Sequence, residues 1–115
     1  TGSEVSRRIL AKAVSEKDFT AQVIDLLTLY GWRVHHCRAA RSWKGWRTPV
    51  QGHVGFCDIV AVKPGHRVLW RELKSYSNKL SPEQQAWGDA LLAAGEDWGV
   101  WRPEDFEVIS EVART

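Results

Sequence analysis
The stretch Gly55-Phe56-Cys57-Asp58-Ile59-Val60-Ala61-Val62, the turn Lys63-Pro64-Gly65-His66-Arg67 and the run Val68-Leu69-Trp70-Arg71-Glu72-Leu73-Lys74 together decide the fold. Two apolar runs rich in β-branched residues flank a Pro-Gly turn, which predicts a β-hairpin. Asp58 opens the first strand. On the second, Glu72 and Lys74 stand two apart, so they project from one face while Leu73 points to the other. Two carboxylates and an amine gathered at one end of a hairpin have the composition of a metal-dependent phosphodiesterase site.

At 115 residues, 43% apolar and 26% charged, the chain reads as one soluble globular domain. No apolar run approaches the roughly 20 residues of a membrane span, and no signal-peptide pattern opens the chain. No membrane partner is therefore expected, and the cytoplasm of a bacterial or phage-infected cell is the expected location. The chain begins Thr1-Gly2-Ser3 and contains no Met, so residues 1–14 read as an N-terminal arm or a cloning remnant and 15–112 as a single domain. Cys37 and Cys57 lack CxxC or Cys/His ligand spacing; two small buried thiols are expected rather than a disulfide, and no zinc site.

A net charge of +2 says little, but its distribution says more. Between Leu26 and Cys57 there is no acidic side chain, while Arg33, Arg38, Arg41, Lys44 and Arg47 supply positive charge. His35, His36 and His53 lie in the same window, the first two read as strand-surface residues. From Glu83 onward eight acids stand against Arg102 and Arg114. A basic face of this kind suits a polyanion; the alternative is a solvated loop that is merely basic.

Ser15 with Asp18 marks a helix start, and Phe19, Val23, Leu26, Leu27 and Tyr30 follow at helical spacing to a left-handed cap at Gly31. Residues 32–38 read as a strand and 39–54 as a long connection containing Trp43 and Trp46, of a length that is usually functional. After the hairpin, Ser81 as N-cap and Pro82 at the first position begin a second helix, with Trp87, Leu91, Leu92 and Ala94 as its apolar stripe. Residues 97–101 form a last strand, and Pro103 starts a terminal helix carrying Phe106, Ile109 and Val112. The order αβββαβα, with a helix between the third and fourth strands, predicts an α/β fold: a mixed central sheet flanked by helices.

Phosphodiester cleavage calls for a divalent ion that offsets charge on the phosphate and generates hydroxide near neutral pH. Magnesium takes oxygen ligands and keeps several waters, so Asp58 and Glu72 suffice to bind it. Lys74 is placed to hold the attacking water, Gln84 to hydrogen-bond water or phosphate, and Glu16 to add a carboxylate through water. The Glu-x-Lys triplet alone is weak, since it arises by chance in roughly a third of chains of this length. Conjunction in this order is what carries weight.

Glu16 on the first helix, Gly55-x-x-Asp58, Glu72-Leu73-Lys74 and Leu80-Ser81-Pro82-Glu83-Gln84 together resemble the PD-(D/E)xK nuclease superfamily, and within it the VRR-NUC branch with its small stand-alone, Holliday-junction-resolvase-like members. The resemblance spans residues 15 to 110, with Cys57 standing where a proline usually precedes the first acid. It implies a restriction-endonuclease-like core and a Mg²⁺- or Mn²⁺-dependent endonuclease leaving 5′-phosphate ends. Asp58, Glu72 and the Leu73 carbonyl would ligate metal. Lys74 would activate water, Gln84 would complete the site, and Glu16 would be an outer acid. A homodimer acting on branched DNA is implied as well.

On that reading Arg33, Arg38, Arg41, Lys44 and Arg47 track phosphates, and Trp43 and Trp46 stack on exposed bases or are buried in a dimer interface or under the loop. Flap, nicking or sequence-specific nucleases of the same fold, and a catalytically silent DNA-binding accessory protein, are the rival expectations.

Overall fold
The computed structural model describes residues 13–37, 40–42, 45–47 and 51–115. Helix α1 (Glu16–Leu29) starts at Ser15, whose Oγ accepts the Asp18 amide at 3.1 Å. Phe19, Val23 and Leu27, four apart, form its buried stripe. At its end the Trp32 amide donates to the Leu27 carbonyl (3.0 Å) and the Gly31 amide to Thr28 (3.1 Å), with Gly31 at φ +93°. That bond pair is a Schellman cap, and the buried Trp32 and Leu27 supply its accompanying apolar contact.

Strands β1 (Arg33–His36), β4 (Ile59–Val62), β5 (Leu69–Leu73) and β6 (Asp97–Trp101) form one mixed sheet in the order β1-β4-β5-β6. The first two pairings are antiparallel and β5–β6 is parallel, as the intervening helix α2 (Pro82–Ala93) permits. A 3₁₀ turn (Pro103–Asp105) leads into helix α3 (Phe106–Arg114). Among the described residues no helix is long and apolar enough to cross a membrane.

Register divides the sheet into two faces. Ile59 pairs with Arg71 and Ala61 with Leu69, while Leu73 pairs with Trp101, so these residues share a face. Phe19, Val23 and Leu27 of α1 and Ile109 and Ala113 of α3 pack with them to make the core. Arg71 is the polar exception: its guanidinium lies 4.8 Å from the Trp101 ring and pairs with Asp97 at 2.9 Å, which offsets its desolvation. Trp70, Glu72 and Trp98 point the other way, toward α2. There Gly88 is the buried residue of α2; a Cβ on it would fall 2.4 Å from the Trp98 ring. Phe56 meets the rings of Trp87 (5.0 Å) and Trp70 (6.1 Å) edge-on.

Three expectations are corrected. The segment 39–54 is not only a connection: Ala40–Ser42 (β2) and Gly45–Arg47 (β3) pair as a separate antiparallel ribbon, so the order αβββαβα gains two strands. Leu92 and Ala94 do not belong to a buried stripe: Leu92 is 52% exposed and Ala94 is exposed as well, because α2 packs through Gly88. Phe106 is likewise exposed, Ala113 joins Ile109 on the inner side of α3, and the turn that Pro103 starts is 3₁₀ and precedes that helix. The expected arm lies outside the described residues apart from Ala13 and Val14.

Candidate metal and active site
β4 begins at Ile59, opposite Arg71, but β5 runs on to Leu73. The Leu73 amide is met by a side chain: Asp58 Oδ2 accepts it at 2.8 Å. The Asp58 carbonyl in turn accepts the Cys37 amide at 2.8 Å, extending the β1–β4 pairing by one residue. Asp58 is therefore fixed from both sides. The approach to it needs Gly55, at φ +92°, where a Cβ would lie 2.6 Å from the Glu83 carbonyl carbon. Gly55→Ala is expected to cost about 2–4 kcal/mol in a urea denaturation, through backbone strain and overlap. A change below about 0.5 kcal/mol would contradict so close an approach.

Cys57 keeps ordinary backbone geometry: no cis peptide and no non-glycine residue with positive φ occurs among the described residues. Its thiol is fully buried and directed at the Ile59 carbonyl (3.4 Å). Burial first, then the Glu72 charge, raises its pKa to about 12, which makes it inert filling. Both cysteines are free, and only Cys57 is buried as expected; Cys37 is partly exposed.

Glu72 is the decisive group. It is 0% exposed. Oε1 accepts the Gln84 side-chain amide at 2.9 Å, whereas Oε2, equally buried, has no hydrogen-bond partner among the described residues. Desolvation raises its pKa to about 9; the Asp58 carboxylate, within hydrogen-bonding reach, and the charge of Glu16 add to the rise, and the Lys74 charge opposes it. Gln84 is held too. Its Oε1 accepts the Ser81 amide (2.9 Å) while Ser81 Oγ accepts the Gln84 amide (3.2 Å), a closed capping box at the start of α2. Lys74 follows β5 and is anchored by its amide to the Trp101 carbonyl at 3.1 Å.

Asp58, Glu72, Lys74 and Gln84 thus meet at one end of the sheet, and Glu16 is near enough for its charge to act on Glu72. Among the described residues no group of three or more His, Cys, Asp and Glu side chains is arranged to hold a metal ion. Two carboxylates still match magnesium, which fills its remaining positions with water or substrate oxygen, and the orphaned Glu72 Oε2 is a hard donor of the right chemistry. Arg33 is exposed on β1. Arg41, Trp46 and Arg47 fall on the ribbon, Arg41 opposite Trp46; Arg38, Trp43 and Lys44 lie outside the described residues.

Three contacts escaped the sequence reading. The capping-box closure by Gln84 was signalled by Ser81 and Gln84 standing three apart. Hydrogen bonds from Asn78 to Glu16 and from Arg102 to the segment after Lys74 had no local signal. No protein family, curated protein or solved structure matches the chain.

Proposed function
We propose that this chain is a Mg²⁺- or Mn²⁺-dependent endodeoxyribonuclease with a restriction-endonuclease-like core, cutting branched DNA to 5′-phosphate ends. The observation that carries the reading is the buried Glu72 carboxyl, one oxygen without a partner, beside Asp58. A protein gains nothing in stability from such a pair unless a proton or a cation sits between the charges.

Asp58, Glu72 and the Leu73 carbonyl would hold the ion, which when bound supplies Lewis-acid stabilisation of the phosphate and a lowered pKa for attacking water. Lys74 would orient a water for in-line attack on phosphorus: the water oxygen forms the new P–O bond and releases a proton to solvent, the bond to the 3′-oxygen breaks, and that oxygen takes up a proton from solvent. Gln84 donates its amide to Glu72 and keeps that carboxylate turned inward. Arg33 and the basic residues of the ribbon and its flanks neutralise phosphates without reading sequence. A homodimer would supply the two active sites that symmetric cutting of a four-way junction requires.

The test is a panel of junctions, flaps, nicked and intact duplexes and single strands, incubated with Mg²⁺, Mn²⁺ or EDTA, with product ends mapped and oligomeric mass measured in parallel. Cleavage with either metal, absent in EDTA and paired symmetrically across a junction, is the expected result. All substrates left intact with both metals would end the enzyme reading in favour of an accessory DNA-binding role.

A further inference from the structure
Glu16 stands in the first turn of α1, where a free glutamate would distribute over several rotamers. Instead its Oε2 accepts the Asn78 side-chain amide at 3.1 Å, across 62 positions of sequence. Asn78 belongs to the irregular link between β5 and α2, which has no ladder of its own. That link is fixed at three backbone points. The Lys74 amide donates to Trp101 at 3.1 Å, and Arg102 Nη1 donates to the carbonyls of Ser75 (2.9 Å) and Asn78 (2.6 Å). Arg102 is itself held where the chain leaves β6, its amide donating to Asp105 Oδ2 at 2.9 Å.

Resting on the metal-site reading above, we infer that Asn78 and Arg102 are positioning residues for that site, holding Glu16 as its third, outer carboxylate. The division of labour is legible in the atoms used. Arg102 staples the link through main-chain carbonyls, which any residue type at 75 or 78 provides. The Asn78 side chain takes no part in that closure; its amide goes to Glu16. A loop staple alone has no use for an amide at position 78, whereas an outer ligand that must accept from a metal-bound water needs its free rotamers removed. Lys74, four residues earlier on the same link, is fixed separately by its own amide bond to Trp101.

The test is a calorimetric titration of the whole chain with Mn²⁺, comparing wild type with Glu16→Gln, Asn78→Ala, the double variant and Arg102→Ala, and with thermal midpoints measured alongside. Glu16→Gln and Asn78→Ala are each expected to weaken Mn²⁺ binding about tenfold, in the range typical of outer-sphere partners. Asn78→Ala should leave the midpoint within about 2 °C, since the staple survives. The double variant should bind like Glu16→Gln alone, because Asn78 acts only through Glu16. Arg102→Ala should lower both affinity and midpoint. Wild-type affinity in Asn78→Ala, or multiplied losses in the double variant, overturns the inference while leaving the metal site standing. A wild-type chain that takes up no Mn²⁺ overturns both.

Discussion
Glu72→Gln is expected to abolish metal-dependent cleavage and, at the same time, to raise the thermal midpoint of the metal-free protein at pH 8. Glutamine preserves shape and can still accept from Gln84, but it removes the acid whose burial beside Asp58 is costly. The sign follows from linkage. The carboxyl has an ordinary value of 4.5 and is raised to about 9 in the folded chain. Its proton-bound contribution is complete below the unfolded value, declines as pH climbs through the interval, and is lost above about 9. Metal-free wild type should therefore weaken steadily from about pH 4.5 to 9, with the glutamine variant flat over this range. Added Mg²⁺ should restore the wild type at pH 8 and leave the variant unmoved, since displacing the proton is what metal binding requires. We expect the variant midpoint to rise by roughly 2–6 °C and cleavage to fall by about 10³-fold or more. A lower midpoint for Glu72→Gln at pH 8 would mean that the ionised carboxylate stabilises the fold, and the site would need another explanation.

Lys74→Ala should separate chemistry from architecture. Lys74 is half-buried, and its structural anchor is a main-chain bond to Trp101, which alanine keeps. The midpoint should move by no more than about 2 °C, and affinity for a junction measured in Ca²⁺ should change by less than about threefold. The cleavage rate should fall by about 10²–10⁴-fold, the range lost when a general acid–base or water-orienting group is removed. Retention of most of the activity would place water activation elsewhere. A large loss of DNA affinity would recast Lys74 as a phosphate contact.

Much of this arrangement was open to reading because its determinants are local. Pro64-Gly65 between β-branched runs specifies the hairpin, Gly31 the helix end, and Ser81-Pro82 the start of α2. The Glu-x-Lys spacing follows from strand geometry alone. Asp58 was legible as an acid at a strand entrance, although its bond to the Leu73 amide depends on β5 outrunning β4 by two residues, a matter of register. The ribbon was missed because three-residue strands are too short to display a period against a background of arginine and tryptophan. Leu92 and Phe106 misled for a different reason. An apolar residue at helical spacing shows that a face exists, not which flank of it the sheet covers, and here a glycine against an indole set the helix rotation. Asn78 and Arg102 act across long sequence separations, where no spacing rule reaches.

The orientation of one amide carries a last consequence. With its oxygen accepting the Ser81 amide at the helix cap, Gln84 turns its nitrogen toward Glu72 and meets that acid as a donor. Polarity at the site is thereby written into a secondary-structure signal. Anyone grafting a new loop ahead of α2, or evolving one, will retune the charge preference of a buried acid twelve residues upstream while editing what looks like a connector.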